Sequence, residues 1–166
     1  MLKQFFKALP VTLIIVVILL AIIILVGLTG VNTWPFLFIL FYFSTFCGMK
    51  WEKVVPVAVW GFLGFFGGYL TPLFGDIGGI LLLVYLVVLL NISVSGVAKS
   101  FDPACFLMLT LTTGIPATLG LCTAASFPKD LAGFGAGVVL MVVMGLISKS
   151  GEKKATAKAA AAEKAE

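Results

Sequence analysis

The chain has 166 residues, of which 61% are hydrophobic and 11% charged, with a mean hydropathy of +1.22. Soluble domains carry about 25% charged and about 45–50% apolar residues, so an ordinary water-soluble globule is excluded, and the chain is too apolar for disorder. Its charges are 11 lysines and 7 acids, with no arginine and no histidine. This excludes Ser-His or Cys-His nucleophile pairs, imidazole metal ligands and arginine clamps on nucleic acid.

A helix needs about 20 apolar residues to cross the hydrocarbon core. The charge-free runs predict six spans, at 8–30, 34–49, 54–74, 77–97, 103–126 and 131–148. The first follows Lys3 and Lys7. Its apolar stretch, 11–28, is longer than a signal-peptide core and no small-x-small cleavage site follows, which predicts a retained helix. Segments 14–26 and 80–90 are apolar on every side. A barrel strand would alternate at period 2, so these runs are helices that satisfy their own backbone groups in lipid. Glycines, Asn32 and threonines across 27–33 break the first span from the second.

Trp34 and Trp51 stand at span ends, where aromatic belts form. The third span carries Gly61, Gly64, Gly68 and Thr71 on one face. Such a face permits close helix packing, and it also leaves room for a narrow solute path. Trp60 and Tyr85 sit deeper and require a packing partner or a cavity. In the fourth span Asn91 and Ser95 share a face, expected to point into the bundle or to the headgroups. Asp76 belongs to a tight turn before that span.

The fifth span is the most unusual, with Thr110, Thr112, Thr113, Gly114, Pro116, Thr118 and Gly120. Pro116 removes a backbone hydrogen bond near mid-span. Interrupted helices at that depth point to a solute site, and equally to a kink whose freed carbonyl a threonine covers. Asp102 precedes Pro103 as an N-cap, and Asp130 is expected to cap the sixth span, which carries the Gly133/Gly137 pair. The acids are therefore read as structural. Cys47, Cys105 and Cys122 show no metal-ligand spacing and read as small apolar filler. The tail, 149–166, is built from Ala, Lys and Glu and reads as a solvated cytoplasmic segment with helix propensity.

With six spans, Lys3, Lys7, Lys50, Lys53, Lys99, Lys149, Lys153, Lys154, Lys158 and Lys164 fall on one side and Lys129 alone on the other. The positive-inside rule then places both termini in the cytoplasm. Trp51-Glu52-Lys53 leading to Gly61 echoes Phe127-Pro128-Lys129 leading to Gly137, an offset of 127 − 51 = 76 positions. In a six-span chain this offset implies an inverted 3+3 repeat.

Five features together resemble the small bacterial inner-membrane proteins of the YcdZ type. They are Phe101-Asp102-Pro103, the Gly/Thr-rich interior after it, the aromatic-x-Lys turn at Phe127, the small-residue last span and Lys149-Ser150-Gly151. The resemblance spans roughly the last 130 residues before the tail and implies a multi-pass protein of the bacterial cytoplasmic membrane.

The expected function is a channel or transporter for a small neutral or weakly charged solute. Its path would be lined by Thr110, Thr113, Gly114, Pro116 and Thr118, by Gly61, Gly64 and Gly68, and by Asn91. The alternative is a non-transporting membrane protein that binds a partner through its small-residue faces. Neither reading requires an enzyme, a cofactor, a metal or nucleic acid. The lipid bilayer is the expected surrounding, and homo-oligomers are common among bundles this narrow.

Overall fold

The computed structural model describes residues 21, 24, 27–119 and 122–163, with 115–119 and 152–163 as backbone only. All regular structure among them is α-helical: α1 (Trp34–Thr45), α2 (Trp51–Phe74), α3 (Asp76–Ser95), α4 (Ala104–Leu119) and α5 (Phe127–Glu163). Most of the first predicted span lies outside the described residues; Ala21, Ile24, Gly27 and Leu28 within it are helical.

This corrects the six-span architecture. Among the described residues three helices are long and apolar enough to cross a membrane: α2, α3 and the Phe127–Gly151 part of α5. At 1.5 Å per residue, the 12 residues of α1 reach about 18 Å and the 16 of α4 about 24 Å, both short of a hydrocarbon core of about 30 Å. The apolar runs behind these predictions are real, but folding cuts them. Gly48 and Met49, at φ 57° and 56°, turn the chain out of α1 before residue 49. Beyond α4, the Thr123 and Ser126 side chains and backbones bond one another in a turn at 123–126, the last four positions of the predicted fifth span. The inverted 3+3 arrangement, and the orientation inferred from the lysine split, both need six spans and fall with them. What stands is a helical membrane protein with several membrane-length apolar helices.

The helix α2 organises the bundle. It packs most extensively on α4, and also on α3 and α5, while α1 lies chiefly on α5. The main core joins Phe36, Ile39 and Phe43 of α1, Val57, Phe65 and Tyr69 of α2, Met108 of α4, and Phe134 and Met141 of α5. Phe65 is its centre, with ring centroids of Tyr69 at 5.1 Å, Phe134 at 5.5 Å and Phe127 at 6.1 Å. A second cluster unites Trp60, Leu89, Cys105 and Leu109 between α2, α3 and α4. Here the two deep aromatics find their partners. Trp60 meets Phe101 in a tilted contact with ring centroids 4.7 Å apart, and the Tyr85 hydroxyl donates to the Leu63 carbonyl at 2.8 Å.

Two elements differ in extent from the sequence expectation. Gly75, at φ 58°, reverses the chain in one residue between α2 and α3, with Asp76 as the first residue of α3. The helix α5 begins at Phe127 and continues through the Ala/Lys/Glu segment to Glu163, 37 residues in all. Alanine, lysine and glutamate are strong helix formers, so nothing in 152–163 stops a helix already nucleated in the apolar part.

Candidate functional site

Polar chemistry in the bundle gathers on two buried aspartates. Asp130 is the fourth residue of α5, and its backbone N–H donates to Ser126 O at 2.9 Å. It is therefore inside the first turn and is not the predicted cap. Its carboxyl is fully buried and accepts from three neutral donors. Asn32 Nδ2 lies 2.7 Å and Trp34 Nε1 2.8 Å from Oδ1, and the Tyr69 hydroxyl donates to Oδ2. The same hydroxyl lies 3.2 Å from Ser126 Oγ. Among the described residues no cation pairs with Asp130.

The local sequence explains this arrangement. Asp130, Gly133 and Gly137 fall at i, i+3 and i+7, on one face of α5. A Cβ at Gly133 would overlap the Asn32 carbonyl oxygen, and one at Gly137 would meet Ile39 and the backbone of Phe36. The two glycines let the start of α1 lie against α5, which brings Asn32 and Trp34 over the carboxyl. The GxxxG pair thus serves the acid three residues before it.

Asp102, 1% exposed, forms the second hub. Its Oδ1 accepts from the Tyr42 hydroxyl at 2.7 Å and from the Ala104 N–H at 3.1 Å, the latter a capping bond at the start of α4. Its Oδ2 lies 3.4 Å from Lys53 Nζ, whose side chain is half exposed. Lys53 and Tyr69 are 16 residues apart on α2, so the two hubs lie about 24 Å apart along the axis. They occupy opposite ends of the bundle, with the aromatic core between them.

The predicted path residues divide. Gly61 packs against Ile39 Cδ1, Gly64 against the Cys105 backbone and Gly68 against Thr112, so this face of α2 is filled by its neighbours. Thr112 Oγ1 donates to Met108 O at 2.6 Å and Thr113 Oγ1 to Leu109 O at 2.8 Å. Thr110 and Gly114 are exposed, on the side of α4 turned away from α2. The two expected walls therefore do not face each other. The α4 backbone stays helical through Pro116 and Thr118, whose side chains lie outside the described residues. Asn91 is exposed on the outer side of α3, and does not point into the bundle. A groove of about 400 Å³ between α2 and α5 is lined by apolar groups, among them Phe62, Phe134 and Val138.

Sequence reasoning missed Asn32, Tyr42, Lys53, Tyr69 and Ser126 and placed Trp34 in an interfacial belt. The available signal was an aspartate sharing a face with a GxxxG pair. Among the described residues no set of three or more His, Cys, Asp or Glu is placed to hold a metal.

Cys122 lies in the loop before α5 beside this cluster, and burial pushes its thiol up to about 11. Cys47, in the turn after α1, is raised by burial and by the Asp102 charge. The thiolate is the reactive form. At pH 8, maleimide should therefore modify Cys122 about a hundredfold more slowly in the folded protein than after denaturation. Peptide mass mapping of a time course gives the rate, and equal rates would contradict the burial of this thiol.

Comparison with family models, with curated proteins and with solved structures finds no match to this chain. Its class therefore rests on its own geometry: a multi-helix membrane protein with a buried carboxylate hub at each end of the bundle.

Proposed function

We propose that the protein is a transporter for a small solute, neutral or weakly charged, in the bacterial cytoplasmic membrane, and that the solute engages the Asp130 hub. The observation that carries this reading is a fully buried carboxyl held by neutral donors alone. Ionisable groups inside membrane bundles are costly and mark solute or ion sites. A solute bearing amide, hydroxyl or ammonium hydrogens can replace Asn32, Trp34 or Tyr69 at the carboxyl bond for bond. Such an exchange would loosen the start of α1 from α5 and open that end of the bundle. Asp102 is balanced by Lys53 and needs no solute for its charge. The proposed mechanism involves no covalent step.

Osmotic swelling of proteoliposomes with small amides, polyols and short carboxylic acids tests the proposal. Solute-selective flux is expected, falling about tenfold in Tyr69→Phe and Asp130→Asn, the loss of one or two directed hydrogen bonds. Val139→Ala, on the outer face of α5, should leave flux unchanged.

A second reading, a membrane protein that binds a partner without transport, is favoured by the packing of α2. Its glycines are occupied by neighbouring helices and an aromatic core fills the space between the hubs. Absence of flux for every solute, with a copurifying protein, would select it.

A further inference from the structure

The Asp130 carboxyl is fully buried, yet a line of hydroxyls joins it to an exposed turn. The Tyr69 hydroxyl, itself fully buried, donates to Asp130 Oδ2 and lies 3.2 Å from Ser126 Oγ, where either oxygen can be the donor. Ser126 Oγ accepts from the Thr123 N–H at 2.9 Å and donates to the Thr123 carbonyl at 3.0 Å. Thr123, Ala124 and Ala125 are exposed. Asp130 Oδ2, the Tyr69 hydroxyl and Ser126 Oγ thus step from the buried acid to the surface turn before α5.

This line can hold the acid in either charge state. As a carboxylate Asp130 only accepts, and Asn32, Trp34 and Tyr69 all point hydrogens at it. As a carboxylic acid it must place one hydrogen. Its Oδ1 faces two donating nitrogens, so the hydrogen belongs on Oδ2, toward Tyr69. The phenol oxygen accepts it, and the phenol hydrogen turns to Ser126 Oγ. A serine hydroxyl has one hydrogen and two lone pairs. Ser126 then gives its hydrogen to Thr123 O and accepts from the Thr123 N–H and from Tyr69, so no polar atom is orphaned. Buried networks are stable when every member is satisfied, and here both states meet that condition. They differ in the direction of the Tyr69 O–H.

Among the described residues, the titratable groups facing Asp130 are Tyr69 from α2 and Cys122 from the loop. A phenol ordinarily ionises at about pH 10, and burial pushes the Cys122 thiol up to about 11. Asn32 and Trp34, which face it from the start of α1, do not titrate. Lys129 is exposed and forms no ion pair with it. At neutral and acid pH the carboxyl is therefore the group in this cluster that changes charge.

We propose that Asp130 is a proton-binding site loaded from the 123–126 turn through Ser126 and Tyr69. A hydronium ion at the turn gives a proton to Ser126 Oγ, the serine hydrogen passes to the Tyr69 oxygen, and the tyrosine hydrogen passes to Asp130 Oδ2. One O–H bond forms at the carboxyl and one is lost from the hydronium ion, while both hydroxyls keep one hydrogen each. Intramembrane acids in such chains mark proton relays. The site shares its carboxyl with the solute proposed above, but the relay does not depend on transport.

Infrared difference spectroscopy of the full chain in lipid vesicles, between neutral and acid pH and without solute, tests it. A protonated-carboxyl band is expected as the pH falls, lost in Asp130→Asn and retained in Glu52→Gln, an exposed acid. Ser126→Ala leaves the three donors on the carboxylate but orphans the Tyr69 hydrogen in the acid form. The pH midpoint of the band should therefore fall by about one pH unit, the tenfold loss of proton affinity that one hydrogen bond represents. Ser126→Thr, which keeps the hydroxyl, should restore it. A serine that only shapes the turn would alter the unfolding temperature and leave the midpoint in place. The proposal is overturned if Asp130→Asn removes no band at any pH at which the protein stays folded, or if the midpoint is indifferent to Ser126→Ala. Solute flux with either of those results would leave transport standing without the proton site. The band and its shift in a protein that moves no solute would do the reverse.

Discussion

Replacing Asp130 by alanine is expected to destabilise the protein by about 3–5 kcal/mol, the largest loss from any single polar substitution in the bundle. The change removes one carboxyl but orphans three donors, and each buried donor left unpaired costs about 1–3 kcal/mol. The total stays below the sum because Ser126 Oγ remains near the Tyr69 hydroxyl and Trp34 is only half buried. Asp130→Asn should cost less, since the amide keeps one acceptor for Asn32 and Trp34. Tyr69→Phe, which removes a single donor, should cost about 1–2 kcal/mol. Thermal or denaturant unfolding in detergent micelles measures all three. In a double-mutant cycle, Asp130→Ala and Tyr69→Phe should be strongly non-additive, because both delete the same bond. Additive losses would mean that the hydroxyl and the carboxyl do not meet.

The second large effect concerns helix spacing. Gly64→Ala should cost about 3 kcal/mol, the upper end for overpacking. The added Cβ overlaps the carbonyl group of Cys105, which is backbone and can yield only if α4 moves away from α2. Gly61→Ala meets Ile39 Cδ1, the tip of a flexible side chain, and should cost about 1 kcal/mol. Gly79→Ala has nothing within 4 Å and should gain up to about 1 kcal/mol from helix propensity. The order Gly64, Gly61, Gly79 in unfolding midpoint therefore reads out how tightly α2 is pressed at two depths, with Gly79 on α3 as the open reference. A uniform response would indicate that α2 and α4 are not in backbone contact.

These two sites show where local pattern was sufficient and where it was not. Periodicity placed Gly61, Gly64 and Gly68 on one face of α2, and the close approach of α4 follows from that face. Whether the face lined a space or was filled depended on Ile39, Cys105 and Thr112, which lie on two other helices. Likewise the sequence presents Asp130 as one acid beside a predicted span start. Its capping role was the natural inference, since a span counted from the last charge must begin after it. In the structure α5 starts at Phe127, and the acid turns inward. Asn91 was expected in the bundle or at the headgroups on the cost of a polar group in lipid. That cost is real, but the α2 contact selected the Gly78–Leu89 side of α3 and left Asn91 outside.

Composition and charge spacing alone determine that this is a helical membrane protein. A run of about 20 apolar residues in lipid can satisfy its backbone only within itself, so no tertiary information is needed. Tertiary structure decided which runs become helices of 12, 16, 24 or 37 residues and which polar atoms meet. The bond from Asn32 to Asp130 joins residues 98 positions apart. Hydropathy and period describe neighbours along the chain, and a contact at that separation exists only once Gly133 has let α1 close on α5.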